Sequence, residues 1–400
     1  MMAMAQVLIY DVEPVKGDAQ YSKSKLIPSE LSRLIPSNFY GNRVSYDAVR
    51  LFKPWQEQYK EYTSKASDYL YRYSQSHKYK YEVDLDLKEF FPSIEPKVIF
   101  GWIKSKLPLN WLCEGEAGNE DINTVYTILR KLLIFKLSDE DNNADNAINA
   151  DELSWYLNIN KEKAKSILEN NGKTIYAKGL PQGLPHTYYF ANIMMIAIKQ
   201  VYQEKFPGEM LFYVDDSVIF TDSMNGFNSQ IESLNSIIEL LENDCRKQCE
   251  DKFNCPNDYT YNSEDFGMKV HSSDDGKSTF SKIDGVQKGS GELYLSGLCR
   301  ETSTLGADIF LAKDDEESKA LKSRSEAILK GIVKEINRLN EIPSNKRNDN
   351  YLKKLIRYKK FFHYRLTVLD YKCRGDIDEL IEELSGYISL RADDSKSTSD

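Results

Sequence analysis

Two adjacent carboxylates, Asp215 and Asp216, interrupt an otherwise apolar run. The flanking segments 211–214 and 218–220 consist of apolar, mostly aromatic and β-branched residues, which predicts two short buried strands joined by a tight turn. Ionising two neighbouring carboxylates in such a turn costs both charge repulsion and desolvation. A divalent cation would remove that cost, whereas a turn exposed to water would not need one. The pair alone leaves both interpretations open.

A third aspartate, Asp86, lies near the end of a predicted strand upstream. Apolar and acidic residues alternate from Tyr81 to Leu87, the period-two pattern of a β-strand. Phe90-Phe91-Pro92-Ser93 ends this strand, and a helix is predicted from Glu95 to about Lys106. Phosphoryl transfer with two Mg²⁺ ions needs carboxylates from separate strands, which leave room for phosphate and water. We therefore expect Asp86 and the aspartate pair to meet on adjacent strands of one antiparallel sheet.

The elements that must position these residues follow from hydrophobic periodicity and from glycine and proline breakers. A loop punctuated by glycine and proline, 178–185, precedes a long apolar helix from about His186 to Lys205. Two or three strands are expected within 265–300, and most of 107–172 is expected to be helical around an Asn/Asp-rich loop at 139–149. Further helices are predicted at 55–76, 225–254, 315–341, 348–370 and 375–390.

Composition places few limits on function. With 41% hydrophobic and 29% charged residues, the chain is expected to be globular and soluble. The net charge of −9 does not exclude nucleic acid, because acidic residues concentrate in 113–152 and basic residues gather near the C-terminus. Without a basic region at the N-terminus or a long apolar segment, we expect no membrane contact and a cytoplasmic location. The spacing of Cys245, Cys249 and Cys255 suits no common zinc site, so free thiols are expected.

Three motifs in a fixed order resemble the palm of a reverse transcriptase, most closely the bacterial retron, group II intron and abortive-infection branches. The family's first palm motif, an aspartate followed by a phenylalanine pair, proline, serine and isoleucine, resembles Asp86–Ile94. Its second, Gly-x-Pro-Gln-Gly with a later hydroxyl residue and asparagine, resembles Gly179–Gly183 with Thr187 and Asn192. Its third, aromatic-x-Asp-Asp, resembles Tyr213–Asp216.

The resemblance implies an α+β fold of the right-hand polymerase type, with an antiparallel palm sheet, fingers of helices and strands, and a helical thumb. On this basis the fingers would span 1–80 and the palm 81–300, with a helical fingers insertion at about 101–175. A helical thumb would follow at 301–392 and a polar tail at 393–400.

Metal-binding roles carry over from the family to matching positions. Asp86 and Asp215 resemble the ligands of two Mg²⁺ ions, for which Mn²⁺ is an alternative, and the backbone carbonyl of Leu87 resembles a third ligand. Asp216 resembles the adjacent, more peripheral catalytic carboxylate. Asp84 lies on the same strand face as Asp86, but the spacing to the phenylalanine pair favours Asp86.

Nucleotide-binding roles are also implied. Phe91 resembles the aromatic residue that excludes a 2′-hydroxyl and so favours dNTPs, with plain core packing as the alternative. Gln182 and Gly183 resemble the loop beneath the incoming base pair. Lys277 resembles the lysine that approaches the triphosphate, and Arg50 is the preferred fingers residue for the same group. Competitors for the fingers role are Arg43, Arg72, Lys78 and Lys80.

The C-terminal helical segment 351–365 contains no acidic residue and interleaves basic with aromatic side chains. Its position after the palm matches a thumb, whose basic face would contact the phosphate backbone of a primer–template duplex. The residues expected at that face are Lys353, Lys354, Arg357 and Lys360. An ordinary solvated helix face is the alternative. Residues 294–298 resemble the hairpin that grips the primer end, and the role of His186 stays open.

The resemblance implies a reverse transcriptase that uses dNTPs, an RNA template or non-coding RNA and a 3′-hydroxyl to make DNA. The bacterial branch implies a role in anti-phage defence. Two alternatives are kept: a template-independent or protein-primed DNA polymerase of the abortive-infection type, and a non-catalytic RNA-binding scaffold. Whether the chain forms a homo-oligomer is also open.

Overall fold

The computed structural model describes slightly less than two thirds of the chain. The described residues are 8–14, 24–46, 50–106, 127–134, 136–138, 149–157, 160–170, 175–182, 184–249, 259, 261–273, 277–283, 305, 308–309, 315–343, 352, 355–356, 359–360, 363–364 and 366–367.

Helices and strands alternate along the described chain. The helices are α1 Glu30–Arg33, α2 Trp55–Ser76, α3 Phe90–Ser93, α4 Pro96–Lys106, α5 Ala150–Leu157, α6 Lys161–Asn170, α7 Pro185–Lys205, α8 Phe227–Cys249 and α9 Asp315–Asn340. The strands are β1 Tyr10–Pro14, β2 Ser24–Pro28, β3 Tyr81–Leu85, β4 Lys136–Ser138, β5 Ile175–Tyr176, β6 Gly208–Tyr213, β7 Asp216–Thr221 and β8 Thr279–Lys282.

A four-stranded sheet with the order β6–β7–β3–β8 forms the centre of the fold. Strands β6 and β7 form an antiparallel hairpin, and β3 pairs antiparallel with β7. Two-stranded antiparallel sheets, β1–β2 and β4–β5, lie elsewhere in the described residues. The predicted α+β class is confirmed, as is the expected pairing of the strand that leads to Asp86 with the aspartate hairpin.

The core is built on helices that the sequence marks as apolar. Helix α7 is buried almost without interruption from His186 to Ile198, as expected for a helix with apolar residues on all sides. It packs with α4 and α8. At its C-terminal end, Tyr202 and Phe206 are fully buried, and Tyr202 stacks on Phe212 of β6 with ring centroids 6.4 Å apart.

The predicted helix boundaries agree with the structure to within two residues at α2, α4, α7 and α9 and at the start of α8. The predicted end of α8, at residue 254, lies outside the described residues. Local pattern sufficed at these elements because each has a long amphipathic or apolar repeat. The segment Phe90–Ser93, expected only to end a strand, forms the short helix α3. Cys245 and Cys249 are buried on α8, and Cys255 lies outside the described residues.

The chain divides into two compact units. Unit 1 contains Met1–Trp55 and Lys78–Ser281, and unit 2 contains Gln56–His77 and Lys282–Asp400. Helix α2 thus groups with the C-terminal residues, although the sequence reading put it in the fingers. Fingers, palm and thumb stay predictions. No helix among the described residues combines the length and apolar character that crossing a membrane requires.

Candidate active site

The Asp215–Asp216 hairpin turns within two residues. Tyr213 of β6 pairs with Asp216 of β7, so Val214 and Asp215 are the central residues of the turn. Val214 has a φ of 57°, in the left-handed region that β-branched residues seldom adopt. A residue held in such a conformation costs on the order of 1–3 kcal/mol and persists only where its surroundings enforce it.

The backbone of Gly41 lies directly against the turn and helps to enforce the conformation of Val214. A Cβ atom at Gly41 would come within 2.7 Å of both the backbone nitrogen and the Cγ2 of Val214, so only glycine permits this approach. Asn192 of α7 holds the same loop from the protein interior. Its Nδ2 donates to the carbonyl oxygens of Gly41 at 2.7 Å and of Asn42 at 3.2 Å.

The chain just before Gly41 adds a further edge contact to β6. The Tyr40 N–H donates to the Phe212 carbonyl at 2.8 Å, and the Phe212 N–H donates to the Asn38 carbonyl at 3.0 Å. Phe39 stacks on Phe212 with ring centroids 4.6 Å apart. The hairpin is therefore fixed by backbone pairing and apolar packing along its outer edge.

Asp86 follows directly after the last paired residue of β3. Leu85 pairs with Ser217, which places Asp86 next to the start of β7 and the hairpin turn. The Asp86 carbonyl accepts a hydrogen bond from the His271 N–H at 2.9 Å, and the Lys88 N–H donates to the Lys269 carbonyl at 2.7 Å. The strand direction thus continues past β3 through pairing with residues 269–271.

This pairing determines the direction of the Leu87 carbonyl. Leu87 and Val270 form an antiparallel bridge whose hydrogen bonds are made by their neighbours. Because successive residues of a strand direct their backbone groups to opposite sides, the carbonyl of Leu87 faces the side of β7 and the hairpin. The Ser217 hydroxyl donates to the Leu85 carbonyl on that side at 3.1 Å. The leucine side chain itself is buried.

Two basic groups approach the carboxylate of Asp86. The Lys277 Nζ lies 3.4 Å from Asp86 Oδ2, and the His271 Nε2 lies 3.8 Å from the same oxygen. The Asp86 N–H donates to the Ser278 hydroxyl oxygen at 3.3 Å. The structure thus brings the predicted residues Asp86 and Lys277 together, and adds His271 and Ser278.

The electrostatics distinguish the two aspartates of the hairpin. Burial raises the pKa of Asp215, and the negative charge of Asp86 raises it further, while a backbone hydrogen bond and Lys277 act in the opposite direction. Burial likewise raises the pKa of the Tyr202 hydroxyl, with both Asp86 and Asp215 adding to the effect. Asp216, in contrast, is exposed. Asp86 and Asp215 therefore share one partly buried, negatively charged site, and Asp216 lies at its periphery.

The donors at this site fit Mg²⁺. Two carboxylates and one backbone carbonyl are oxygen ligands of the kind that Mg²⁺ takes, and Mg²⁺ usually completes its shell with water and substrate phosphates. The negative charge of Asp86 contributes to the raised pKa of Asp215, and a cation would remove this repulsion. Within the described ranges, no group of three or more His, Cys, Asp or Glu side chains is arranged to hold a metal ion. A set of two carboxylates completed by a carbonyl would not form such a group.

The glycine–proline loop packs against the segment that follows Asp86. Gly179 has a φ of 64°, and a Cβ there would come within 2.4 Å of the Phe91 carbonyl oxygen. The Leu180 N–H donates to that same oxygen at 2.9 Å. The Thr187 hydroxyl closes the loop by donating to the Pro181 carbonyl at 2.8 Å. Gln182 is exposed at the tip of the loop.

Phe91 is a largely buried residue, 6% exposed. Its ring contacts Tyr188 of α7 edge-to-face, with centroids 5.6 Å apart, and Phe90 at the same centroid distance. Tyr188 is only partly buried. Phe91 therefore lies where the second motif meets the first, which agrees both with a steric role toward a sugar and with core packing.

His186, whose role the sequence left open, is buried. Its side chain is 3% exposed, and burial lowers its pKa and favours the neutral imidazole. A hydrogen bond to the backbone of Leu132 acts in the opposite direction.

The structure gives less information about the remaining predicted site residues. Arg50 is exposed in unit 1, and Lys360 is exposed in a helical part of unit 2. Gly183, Lys353, Lys354 and Arg357 lie outside the described residues, as does the segment 294–298. Their roles stay predictions.

Sequence reasoning missed the residues that support the site from a distance. No local sequence pattern marks Gly41 or His271 as a site residue, because each contacts the backbone of a residue that is distant in the sequence. Asn192 was identified as the asparagine of the second motif, but its hydrogen bonds to the 41–42 loop were not predicted. The polar side chains of α8 that contact residues 268–273 were also missed.

Comparisons with known proteins do not assign a family: no family model matches the sequence, and no curated protein matches it. The resemblance to reverse transcriptases therefore depends on the three motifs in the sequence.

Proposed function

We propose that the chain is a nucleotidyltransferase of the reverse transcriptase type, which adds dNTPs to a 3′-hydroxyl. The observation that carries the proposal is the meeting of Asp86 and Asp215 at the end of two paired antiparallel strands, with Lys277 Nζ 3.4 Å from Asp86. Phosphoryl transfer of this kind needs carboxylates on rigid elements and a cation near the phosphates.

Asp86, Asp215 and the carbonyl of Leu87 would hold two Mg²⁺ ions. When bound, such ions activate the attacking hydroxyl and stabilise the charge of the leaving pyrophosphate. The rigid turn at Val214 orients Asp215, and the pairing of Asp86 and Lys88 with residues 269–271 orients Asp86 and Leu87. Both supports fix the ligands before substrate arrives, which is the geometric requirement of this chemistry.

Lys277 has a second role in the proposal. Its ammonium group neutralises Asp86 in the absence of substrate, and its side chain is 57% exposed and therefore able to turn toward a phosphate. A lysine beside the triphosphate stabilises the negative charge that develops on the departing pyrophosphate, and it is able to donate a proton to it. The hydrogen bond from the Asp86 N–H to the hydroxyl oxygen of Ser278 keeps the neighbouring Lys277 at the site.

The preference for dNTPs over NTPs is assigned to Phe91. The loop contact between Gly179 and the Phe91 carbonyl, together with the ring contact to Tyr188, fixes the position of the aromatic ring. A fixed ring beneath the sugar would collide with a 2′-hydroxyl. Gln182, exposed on the same loop, is assigned to the incoming base pair.

The proposal includes an RNA template or non-coding RNA and a DNA product as partners, with a role in anti-phage defence. The defence role follows from the resemblance to the bacterial branch and is tested by plating efficiency of phage on cells with and without the chain.

Incorporation of labelled dNTPs in the presence of Mg²⁺ tests the central claim. We expect Asp215→Ala and Asp86→Ala each to lower incorporation at least about 1,000-fold while nucleic-acid binding is retained. Asp222→Ala, an exposed aspartate just beyond β7, is the matched control and should behave as the wild type. Unchanged incorporation in Asp215→Ala would disprove the proposed site.

Two further reactions distinguish the templated reaction from its alternatives. Template-dependent synthesis requires added RNA and yields products limited by template length, whereas a template-independent enzyme extends without it. A labelled band that migrates with the protein after denaturation would indicate priming from a protein side chain. Binding of RNA without any incorporation would favour the scaffold.

A further inference from the structure

Helix α8 carries three polar side chains at intervals of seven residues, Asn228, Asn235 and Glu242. Residues seven apart lie on one face of a helix, two turns from each other. All three contact one chain segment, 268–273, which follows the exposed turn at Ser263–Asp265. We refer to Asn228, Asn235 and Glu242 as the α8 ladder.

The middle member, Asn235, bonds both backbone groups of one residue. The Val270 N–H donates to Asn235 Oδ1 at 2.8 Å, and Asn235 Nδ2 donates to the Val270 carbonyl at 3.4 Å. The side-chain amide of Asn235 thus makes the two hydrogen bonds that a neighbouring strand would otherwise make with Val270.

Glu242 acts two residues earlier along the segment. The Met268 N–H donates to Glu242 Oε1 at 2.9 Å, and both the carboxylate and Met268 are buried. At the other end of the ladder, the Ser273 hydroxyl hydrogen bonds with Asn228 Oδ1. The segment is therefore bound at its start, its middle and its end by one helix.

A partly buried ion pair links α8 to the residue that precedes α4. Arg246 Nε lies 2.6 Å from Glu95 Oε2, and Glu95 Oε1 accepts a hydrogen bond from the Ser263 hydroxyl at 2.9 Å. Glu95 directly follows the first palm motif and precedes α4. One end of the ladder is consequently tied to the same stretch of chain that contains Asp86.

The opposite edge of the segment bonds to Asp86–Lys88. Val270 and Met268 direct their N–H groups toward α8, whereas Lys269 and His271 bond to Lys88 and Asp86. This alternation is that of a β-strand, so the segment lies as a strand between the ladder on one side and Asp86–Lys88 on the other. A displacement of the segment would be transmitted to Asp86 and Leu87 through two backbone hydrogen bonds.

We propose that Asn235 and Glu242 are positioning residues of the catalytic centre, which hold Asp86 and Leu87 at the correct distance from Asp215 through the backbone of Met268–His271. This inference rests on the proposed function, because the proposed function identifies Asp86 and Leu87 as the metal ligands that are positioned. Neither side chain touches substrate in the proposal. A misplacement of about 1 Å in a reacting geometry is enough to cost about 100-fold in rate.

Steady-state incorporation kinetics and direct Mn²⁺ binding test the inference together. We expect Asn235→Leu and Glu242→Leu each to lower kcat about tenfold with little change in the KM for dNTP. Mn²⁺ titration of the same proteins without substrate, followed by electron paramagnetic resonance, should show a dissociation constant about fivefold weaker. Glu242→Gln retains an acceptor for the Met268 N–H and should keep kcat and Mn²⁺ affinity within about twofold of the wild type. Glu232→Leu places a leucine on the exposed face of the same helix and is the matched control.

The outcomes separate positioning from simple destabilisation. All measurements are made at least 15 °C below the thermal midpoint of each variant, so that a loss of folded protein does not enter kcat. Normal kcat and Mn²⁺ affinity in both leucine variants would overturn the inference while leaving the proposed function intact, and so would equal losses in Glu242→Gln and Glu242→Leu. A wild-type protein with neither incorporation nor Mn²⁺ binding would instead overturn the proposed function, and with it the inference.

Discussion

The two carboxylates of the candidate site are supported in different ways. Asp215 lies in a hairpin that is fixed by apolar packing and by a glycine contact to a strained valine. Asp86 lies at the end of β3, where the adjoining segment is fixed by polar side chains of α8 and by backbone pairing. Backbone pairing contributes on both sides. Close packing is the main further support of Asp215, and polar side chains are the main further support of Asp86.

This difference has consequences for how each support fails. Apolar packing is not directional, but it is dense, so that the addition of even one methylene group is felt. A buried hydrogen bond depends on one partner, and its loss leaves a donor unsatisfied at a cost of about 1–3 kcal/mol. The hairpin support should therefore be sensitive to added volume, and the α8 support to removed polar atoms and to pH.

The largest effect is expected from adding one methyl group to the hairpin support. In Gly41→Ala, the new Cβ would meet the backbone nitrogen and Cγ2 of Val214 at 2.7 Å, so the turn or the loop must move. We expect incorporation to fall about 100-fold, because a displacement of about 1 Å is then imposed on Asp215. Ser37→Ala, at an exposed position just before this loop, is the control. Wild-type activity in Gly41→Ala would show that the contact does not position the turn.

The α8 support includes a buried titratable side chain, Glu242, and should therefore depend on pH. Burial raises the pKa of Glu242 to about 7, from an ordinary value of 4.5, and the Met268 N–H and Arg246 only partly oppose this. The folded protein therefore binds more protons than the unfolded chain between these two values. The contribution to stability is fully present below pH 4.5 and is lost as the pH rises through 7.

Chemical unfolding at several pH values measures this effect. We expect the free energy of unfolding to fall by on the order of 2–3 kcal/mol from pH 5 to pH 8 through Glu242. Glu242→Gln should remove most of that slope, and the exposed Glu232→Gln should not change it. Parallel pH profiles for Glu242→Gln and the wild type would contradict the assignment.

The sequence predicted the closely packed side of the site well. The apolar run around Asp215 is continuous in the chain, so its pattern alone predicted the β6–β7 hairpin and its turn. The alternating residues before Asp86 likewise predicted β3. The requirement of two-metal chemistry for carboxylates on separate strands predicted that β3 and the hairpin would meet. The family resemblance assigned Lys277 to the triphosphate, but its position 3.4 Å from Asp86 Oδ2 was not predicted.

The polar side was not predictable in the same way. Asn235 and Val270 are 35 residues apart, and Arg246 and Glu95 are 151 apart. A helix with Asn and Glu on one face is typical of a solvated surface, and no local pattern distinguishes a side chain that bonds a distant backbone group. The φ of Val214 was equally hidden, because valine is not a residue that predicts a left-handed conformation.

A smaller effect is expected from Asn192, which joins α7 to the hairpin support. Asn192→Leu removes the donor to the carbonyl oxygens of Gly41 and Asn42, and the side chain is fully buried. We expect incorporation to fall about tenfold and the free energy of unfolding to fall by about 1–2 kcal/mol. Asn340→Leu, at an exposed position in α9, controls for the change of residue type. A stability loss without any loss of activity would show that Asn192 supports the fold but not the turn.

The smallest effect is expected where strain and flexibility oppose each other, at Val214. Glycine relieves a left-handed conformation that costs about 1–2 kcal/mol for a residue with a Cβ, but it raises the entropy of the unfolded chain by about 0.5–1 kcal/mol. We therefore expect Val214→Gly to change the free energy of unfolding by less than about 1 kcal/mol, and incorporation to fall about threefold because the turn is less rigid. Urea unfolding and incorporation kinetics on the same preparation measure both. A destabilisation well above 1 kcal/mol would mean that packing of the valine side chain stabilises the turn by more than the strained backbone costs.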